Sequence, residues 1–443
     1  MDRAHPDPFP AELAVEPVVG PLRATVAVPG SKSLTNRALV AAALAHGTSV
    51  IDGALFADDT EAMLGCLAGL GFALDVDRGA GRITVTGAAG RVPAAGASVF
   101  ARLSGTTTRF ITPLVALGDG EFVVDAAPPM RARPMTDQVV ALRSLGAQID
   151  DTANPGHLPL RLTSAGLHGG TVQLPGDASS QFLSGLLLAA PAMRDGLRVE
   201  LTTGLVSRSD VGLTADVMAA FGSAIATPDE RTFVVAPTGY RATTYPVEPD
   251  ASAASYFFAA AAICGGQVRV DGLGAASHQG DLRFVDLLER MGAEVERGDR
   301  FTLVRGTGSL RGIEVEMADL SDTAQTLAAV AAFAEGPTRV TGIGFIRRKE
   351  TDRIAAVVAE LRRCGVDAAE EPDGFVVRPG GTAGPHGALV QTYDDHRMAM
   401  SFALLGLRVP GVRIADPGCV TKTFPGFFAA LEALRDGSEP AGR

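Results

Sequence analysis

The strongest constraint on the fold of this chain is a repeat. An apolar residue, then a glycine, then a short strand-like segment recur as LAGLGFALDV, LRSLGAQID, MAAFGSAIA, LERMGAEVE and LRRCGVDAA. The glycines are Gly71, Gly146, Gly222, Gly292 and Gly365. A weaker sixth copy, LEALRDG, ends at Gly437. Glycine directly after an amphipathic helix is a C-cap signal, because the left-handed conformation costs it little. The interval, roughly 70 to 76 residues, is too long for a solenoid repeat. A second feature keeps the same beat. Short polar segments open Ala-rich helices at 30–44, 103–117, 177–190, 250–262, 321–334 and 394–406. The third and fourth share the tripeptide DAS.

Strand candidates with β-branched alternation, among them RITVTG, EFVVDA, TVQLPG, TFVVAP and FTLVRG, fall between these helices. Each unit therefore reads strand, helix, strand, helix, strand, strand. Six such units predict an α/β architecture. The length of 443 residues exceeds one ordinary core and predicts at least two domains. Each helix start exposes unpaired N–H groups and partial positive charge, so converging starts suit phosphate or carboxylate.

The formal charge is −11 and the chain has no Trp and four Tyr. This argues against nucleic acid or an anionic membrane as partner. It leaves room for small anions held by local cation clusters. Cys66, Cys264, Cys364 and Cys419 form no CxxC pair and the seven His are scattered, so a zinc site or a disulfide framework is not expected. Reduced thiols in a cytosol are the simpler reading. No signal-peptide core precedes the first repeat, and apolar runs such as FFAAAAIC are too short to span a bilayer. The tails, 1–15 and 436–443, are expected to be disordered.

Several motifs carry chemistry. GSKS lacks the glycine that a Walker A loop needs four residues before its Gly-Lys pair, so the nucleotide reading fails. What remains is Lys32 and Ser33 on a turn, with Arg37 further along the helix. LSGTTTRFITP offers Gly105, three Thr and a lone cation, Arg109; MRARPMTDQ offers Arg131 and Arg133. In GDASSQFLSG, N-capping explains one serine but not the trio Ser179, Ser180 and Gln181. Asp322 precedes an apolar helix, where a cap and a functional carboxylate are equally good readings. His396 and Arg397 interrupt another helix start, and an arginine there is costly to bury without an anion. Lys422 lies between threonines. The densest charge is IRRKETDRIAA, Ile346 to Ala356. Asp352 suits the start of the following helix. Arg347 and Arg348 have no assigned partner and are read as solvated or interdomain.

PGSKSLTNRAL, RPMTDQ, SSQF, KETDR, DDHRMAM and KTFPGF, in this order, resemble the 5-enolpyruvylshikimate-3-phosphate synthase family of enolpyruvyl transferases. The resemblance runs from about Pro21 to Phe428. It implies a two-domain, inside-out α/β barrel fold of six βαβαββ units, three per domain. One domain would comprise 1–30 and 246–443, the other 31–245, with the active site in the cleft between them. The implied reaction transfers the enolpyruvyl group of phosphoenolpyruvate to the 5-hydroxyl of shikimate 3-phosphate, by addition and elimination, without metal or organic cofactor. It belongs to the shikimate pathway to chorismate and aromatic amino acids, in the cytoplasm, and is the target of glyphosate. The family is mostly monomeric.

Residue by residue, the resemblance assigns shikimate 3-phosphate to Lys32, Ser33, Arg37, Ser179, Ser180, Gln181, Ser207, Asp322 and Lys349. It assigns phosphoenolpyruvate to Lys32, Gly105, Arg133, Gln181, Arg353, Arg397 and Lys422. The catalytic set would be Asp322, Glu350, Lys32, Lys349 and His396. Three positions depart from the family pattern: Leu103 and Phe345 where Asn is usual, and Asp210 where Tyr is usual. A paralogue acting on a modified acceptor, an enolpyruvyl transferase for UDP-N-acetylglucosamine, and a non-catalytic binder of phosphorylated acids are the alternatives. The second usually carries a reactive loop cysteine, and none of the four here sits in such a motif.

Overall fold

The computed structural model describes residues 9–379 and 384–437. The chain divides into two compact units, Gly30–Glu248 and the combination of Met1–Pro29 with Pro249–Arg443. Each has its own hydrophobic core.

In the Gly30–Glu248 unit, the helices Lys32–Leu44, Gly105–Ala116 and Ser180–Ala189 pack against one another. Nearly every residue of the three is buried. A helix without a solvent face needs small or apolar residues all round, which explains the Ala-rich runs. Close approach has a concrete cause at Gly185, where an added Cβ would lie 2.3 Å from the Arg109 carbonyl oxygen.

Three sheets surround these helices. In one, Gly96–Phe100 runs parallel to Asp119–Asp125, which pairs antiparallel with Leu160–Ala165 and, through it, with Gln148–Asp150. With the helices Gly105–Ala116 and Thr136–Ser144 between the strands, this is the βαβαββ order that the repeat predicts. The sheet Gly170–Leu174, Leu197–Leu201, Thr232–Val235, Ile225–Asp229 repeats the pattern. The first repeat takes its opening strand from the far end of the segment: Tyr240–Arg241 and Thr244–Pro246 run parallel to Ala45–Asp52.

The other unit follows the same plan around the helices Ala251–Cys264, Ala324–Ala331 and His396–Gly406. Its first sheet borrows Leu22–Thr25, parallel to Gly266–Asp271. Among the described residues its last repeat has no closing hairpin. The open edge of Arg413–Ala415 is covered instead by Glu12–Ala14, antiparallel. Residues 9–15, expected to be disordered, are therefore part of the fold: an unpaired strand edge binds a strand, and Val15 and Phe9 bury apolar surface beside it. Residues 1–8 and 438–443 of the two tails lie outside the described residues.

All six repeat glycines have positive φ: +85° at Gly71, +105° at Gly146, +83° at Gly222, +116° at Gly292, +79° at Gly365 and +68° at Gly437. Five of the six central helices begin with a side-chain cap, from Ser31, Ser104, Ser179, Asp250 and Asp395. The exception follows Asp322: Thr323 occupies the N-cap position of Ala324–Ala331 and no side chain caps it. The cap reading of Asp322 is thus overturned, and its carboxylate is engaged elsewhere.

Asp352 does cap its helix, Arg353–Arg363, accepting from the Ile354 and Ala355 amides at 3.1 and 3.0 Å. Arg347, expected to be solvated or interdomain, lies within this network. It donates to Asp352 and Glu370, both at 2.8 Å, and to the Glu371 carbonyl at 2.9 Å. A guanidinium beside three acceptors, one at the helix start and two on the strand Asp367–Glu371, is better bonded than hydrated. Arg348 is exposed. Asp352→Ala is expected to lower the unfolding free energy by about 1–2 kcal/mol, with Asp352→Asn recovering most of the loss. Urea denaturation of the two variants checks this.

Candidate functional site

The sequence-selected residues fall into one cluster in each unit. In the Gly30–Glu248 unit, Lys32 opens its helix and places Nζ 3.2 Å from Asp59 Oδ2. Asp59 is buried on the helix Asp58–Gly69, and its carbonyl accepts from the Thr107 hydroxyl at 2.9 Å. The short side of this ion pair is therefore fixed to two helices. Arg37 is buried over the Phe110 ring. Its Nε donates to Thr214 Oγ1 at 2.8 Å, one Nη to the Ser33 carbonyl at 3.0 Å and the other to the Asp210 carbonyl at 2.9 Å. Burial lowers the Arg37 pKa, with Asp210 and Tyr245 opposing. Lys32 and Ser33, expected on a turn, form the first turn of the Lys32–Leu44 helix, and Arg37 ties this helix to Arg208–Ala220.

Gly105 lets the backbone approach two guanidinium groups. A Cβ there would sit 2.8 Å from Arg109 Nη1 and 2.9 Å from Arg133 Nη1. Arg109 holds Gln181 in place, donating to its Oε1 at 2.9 Å, and lies over the Phe182 ring. The Gln181 amide nitrogen donates to Thr106 Oγ1 at 3.2 Å. Arg109 is a positioning residue for Gln181 in this arrangement. Of the serine pair, Ser179 caps its helix while Ser180 Oγ donates to Asp210 Oδ2 at 3.2 Å. Ser207 is buried at the start of Arg208–Ala220 in the left-handed region, φ 51°. Arg131 is not brought to this cluster's centre by any contact; it pairs with Asp125 at 2.8 Å on the exposed side.

The second cluster centres on Arg353, 1% exposed. Nε donates to Asp395 Oδ2 at 2.8 Å, Nη1 to Asp322 Oδ1 at 3.2 Å and Nη2 to Glu350 Oε2 at 2.8 Å. Burial alone lowers its pKa, but Asp395, Glu350 and Asp322 more than reverse this, so the group is held charged. Arg397, also buried, donates to Asp322 Oδ2 at 2.5 Å and to the Asp322 carbonyl at 2.9 Å. Burial again lowers its pKa and Asp322 outweighs it. Lys422 Nζ lies 3.9 Å from Glu350 Oε1, and Lys349 Nζ 5.8 Å from the Phe345 ring centre. His396 is buried with Nδ1 3.7 Å from Asp395 Oδ1.

Backbone strain accompanies both clusters. Of the six described non-glycine residues with positive φ, five are Arg102, Ser207, Tyr393, Asp394 and Asp416. These lie just before Gly105, at the Arg208 helix, before His396 and Arg397, and before the turn ending in Lys422. Such conformations cost about 1–3 kcal/mol each and concentrate where side chains must be aimed. The four cysteines differ: burial pushes each thiol up to about 12, which makes none of them a ready nucleophile.

Three residues that the sequence reading left out now join these clusters. Asp395 holds Arg353, Asp59 holds Lys32, and Thr214 holds Arg37. Asp395 was within reach, since it stands in the DDHRMAM motif. Asp59 and Thr214 had no sequence signal, because each looks like an ordinary helix residue.

A family model described as EPSP synthase (3-phosphoshikimate 1-carboxyvinyltransferase) matches residues 18–431. The chain belongs to the EPSP synthase family. A 3-phosphoshikimate 1-carboxyvinyltransferase from Nostoc punctiforme is 47% identical over 409 residues, covering 92% of this chain and 95% of that protein. One from Ralstonia pickettii is 43% identical over 430 residues, covering 94% and 98%. A solved EPSP synthase from Acinetobacter baumannii superimposes with a TM-score of 0.81 at 27% identity, covering 96% of this chain and 98% of that one. The fold above is thus the EPSP synthase fold. No helix among the described residues is long and apolar enough to cross a membrane.

Within the EPSP synthase frame the buried cation of the second cluster depends most on Asp395, itself fully buried. Removing one partner of a buried ion pair leaves a charge uncompensated. Asp395→Ala is expected to cost about 3–5 kcal/mol of unfolding free energy. Equilibrium denaturation of the variant measures it; a loss no larger than that of an exposed-residue control would show that Asp322 and Glu350 suffice.

Proposed function

We propose that the chain transfers the enolpyruvyl group of phosphoenolpyruvate to the 5-hydroxyl of shikimate 3-phosphate and releases phosphate. The observation that carries the mechanism is the Asp322–Arg353–Glu350 arrangement. One guanidinium orients two carboxylates, while Arg397 grips the first of them from a second helix. Addition needs a base for the hydroxyl and an acid for the methylene carbon, and elimination needs the reverse. Two carboxylates on one fixed cation supply such a pair with their separation set in advance.

In this reading Asp322 takes the hydroxyl proton as the oxygen attacks C2 of phosphoenolpyruvate. Glu350, with Lys349, delivers a proton to the methylene carbon, giving a tetrahedral intermediate. Loss of a proton from the new methyl group and departure of phosphate then restore the double bond. Arg133, Arg353, Arg397, Lys422 and Lys32 are assigned to the carboxylate and phosphate of phosphoenolpyruvate, with Gly105 letting the Arg109 and Arg133 guanidinium groups approach its backbone. Ser33, Arg37, Ser179, Ser180, Gln181 and Ser207 bind shikimate 3-phosphate. Arginine forks suit these anions because they donate two parallel bonds. His396, with Nδ1 3.7 Å from Asp395 Oδ1, completes the proposed catalytic set. Both clusters are assigned to the same reaction. A cytoplasmic, monomeric enzyme is part of the same reading. The cysteine-dependent alternative is disfavoured by the raised thiol pKa values, and a pure binder by the acid–base pair.

The test is phosphate release by purified protein given shikimate 3-phosphate and phosphoenolpyruvate; no turnover above background sinks the reading. Asp322→Asn, which preserves shape, is expected to lower kcat by about 10²–10⁴-fold with KM for shikimate 3-phosphate within a few-fold. Steady-state kinetics decide: a rise in KM alone would make Asp322 a binding residue and not the base. Gly105→Ala is expected to raise KM for phosphoenolpyruvate by roughly ten-fold, because the new methyl pushes aside the ends of Arg109 and Arg133, 2.8 and 2.9 Å away, and even a shift of under about 1 Å is costly in a well-aligned site. Unchanged KM would remove Gly105 from the phosphoenolpyruvate set.

A further inference from the structure

One of the two acidic side chains described in the first cluster is out of keeping with its surroundings: Asp59 is paired with Lys32, whereas Asp210 faces residues assigned to an anionic substrate. Asp210 stands in the first turn of Arg208–Ala220, with its side chain about one-third exposed (33%). Its Oδ2 accepts the Ser180 hydroxyl at 3.2 Å, and its Oδ1 lies 3.8 Å from Arg37 Nη2. Ser180 and Arg37 are two of the residues assigned above to the acceptor substrate, and both are buried. A serine hydroxyl has one proton to donate. Asp210 and an anionic ligand cannot both receive it.

We propose that Asp210 is a specificity-determining residue that opposes a doubly charged group on the acceptor, acting as a charge filter at Ser180 and Arg37. The inference rests on the reading of Ser180 and Arg37 as acceptor-binding residues. The geometry sets the strength of the effect. If a ligand oxygen and Asp210 Oδ2 each lie about 3 Å from the same hydroxyl, the two negative charges are within roughly 6 Å. At a partly exposed position the repulsion at that distance amounts to several-fold in affinity, and it is screened by salt. Arg37 offsets part of it from 3.8 Å, but not all: its bonds to the Asp210 carbonyl, Ser33 and Thr214 hold the guanidinium in place, so it cannot move closer to the carboxylate. The carboxylate has a benign role as well, since an acid in the first turn of a helix is mildly stabilising. That role is independent of any ligand and does not require the contact with Ser180.

The experiment compares wild type, Asp210→Asn and Asp210→Ser by calorimetric titration with shikimate 3-phosphate and with shikimate, at low and high ionic strength. Asn keeps the acceptor oxygen for Ser180 and removes only the charge; Ser serves if the Asn variant proves unstable. Loss of the charge is expected to tighten shikimate 3-phosphate about five-fold at low salt, with the gain shrinking at high salt, while shikimate changes by less than two-fold. Equal changes for both ligands, or weaker binding of shikimate 3-phosphate, would overturn the charge filter, because a structural role for Asp210 acts on both alike. Failure of wild type itself to bind shikimate 3-phosphate at either salt would instead overturn the acceptor-site reading, and the filter with it.

Discussion

Arg353 carries its charge in a nearly solvent-free position because three carboxylates converge on it, and most of the second cluster follows from that requirement. Asp395 reaches Nε from the start of the His396–Gly406 helix, Asp322 reaches Nη1 from a short turn, and Glu350 reaches Nη2 from three residues upstream. An isolated guanidinium could not be buried there at acceptable cost. The same contacts that make burial tolerable orient the two carboxylates assigned to proton transfer. Stability and chemistry therefore use one set of bonds, and the cluster is hard to alter piecemeal.

The first cluster is organised differently. Its cations are held one by one: Lys32 by Asp59, Arg37 by Thr214 and two carbonyls, Arg109 by Gln181. Apart from the Arg37–Ser33 bond, which stays within one helix, each bond joins different helices of the three-helix centre or the helices packed on it. That centre is possible because the repeat supplies helices with small side chains on all faces. Ala-rich faces let helix starts carry polar residues without leaving cavities behind them. The structural price of an all-buried helix is the loss of any solvent-facing side, and its polar groups are gathered at the N-terminus. It is at those ends that the residues assigned to the substrates stand.

Much of this was legible in the sequence, and the limits are physical. The glycine beat and the Ala-rich helix starts disclosed the six repeats, though not that the sixth departs from the βαβαββ order, because both signals are local: a C-cap and a helix face are written in consecutive residues. The borrowed strands were not legible. Leu22–Thr25, Glu12–Ala14 and Tyr240–Arg241 pair with sheets far along the chain, and nothing local says which edge a short strand will cover. The same distinction runs through the site. Asp352 was readable as a cap because its partners are two and three residues away, whereas Arg347, whose further partners include Glu370, was read as solvated. Lys32, Arg353 and Arg397 were recognised by motif, yet Asp59 and Thr214, which fix two of the first cluster's cations, carried no signal. Partners at long sequence separation are chosen by packing, and packing is decided only when the fold is complete.

The acidic balance of the chain gains a meaning from these pairings. A protein assigned two anionic substrates would be expected to bear unopposed cations, but every cation at the heart of the two clusters for which a partner has been described faces a carboxylate, carbonyl or amide oxygen. Substrate anions therefore compete with protein oxygens and do not simply fill a positive pocket. Competition weakens binding, and it also raises selectivity: an anion gains only if its shape satisfies several donors at once, whereas a stray phosphate or carboxylate displaces one partner and leaves the rest in place. In this arrangement net charge is a poor guide to ligand charge. The informative quantity is how many donors at a helix end can be turned from an internal oxygen to an external one by a single ligand; where Ser180, Arg37 and Asp210 meet, the Ser180 hydroxyl is such a donor.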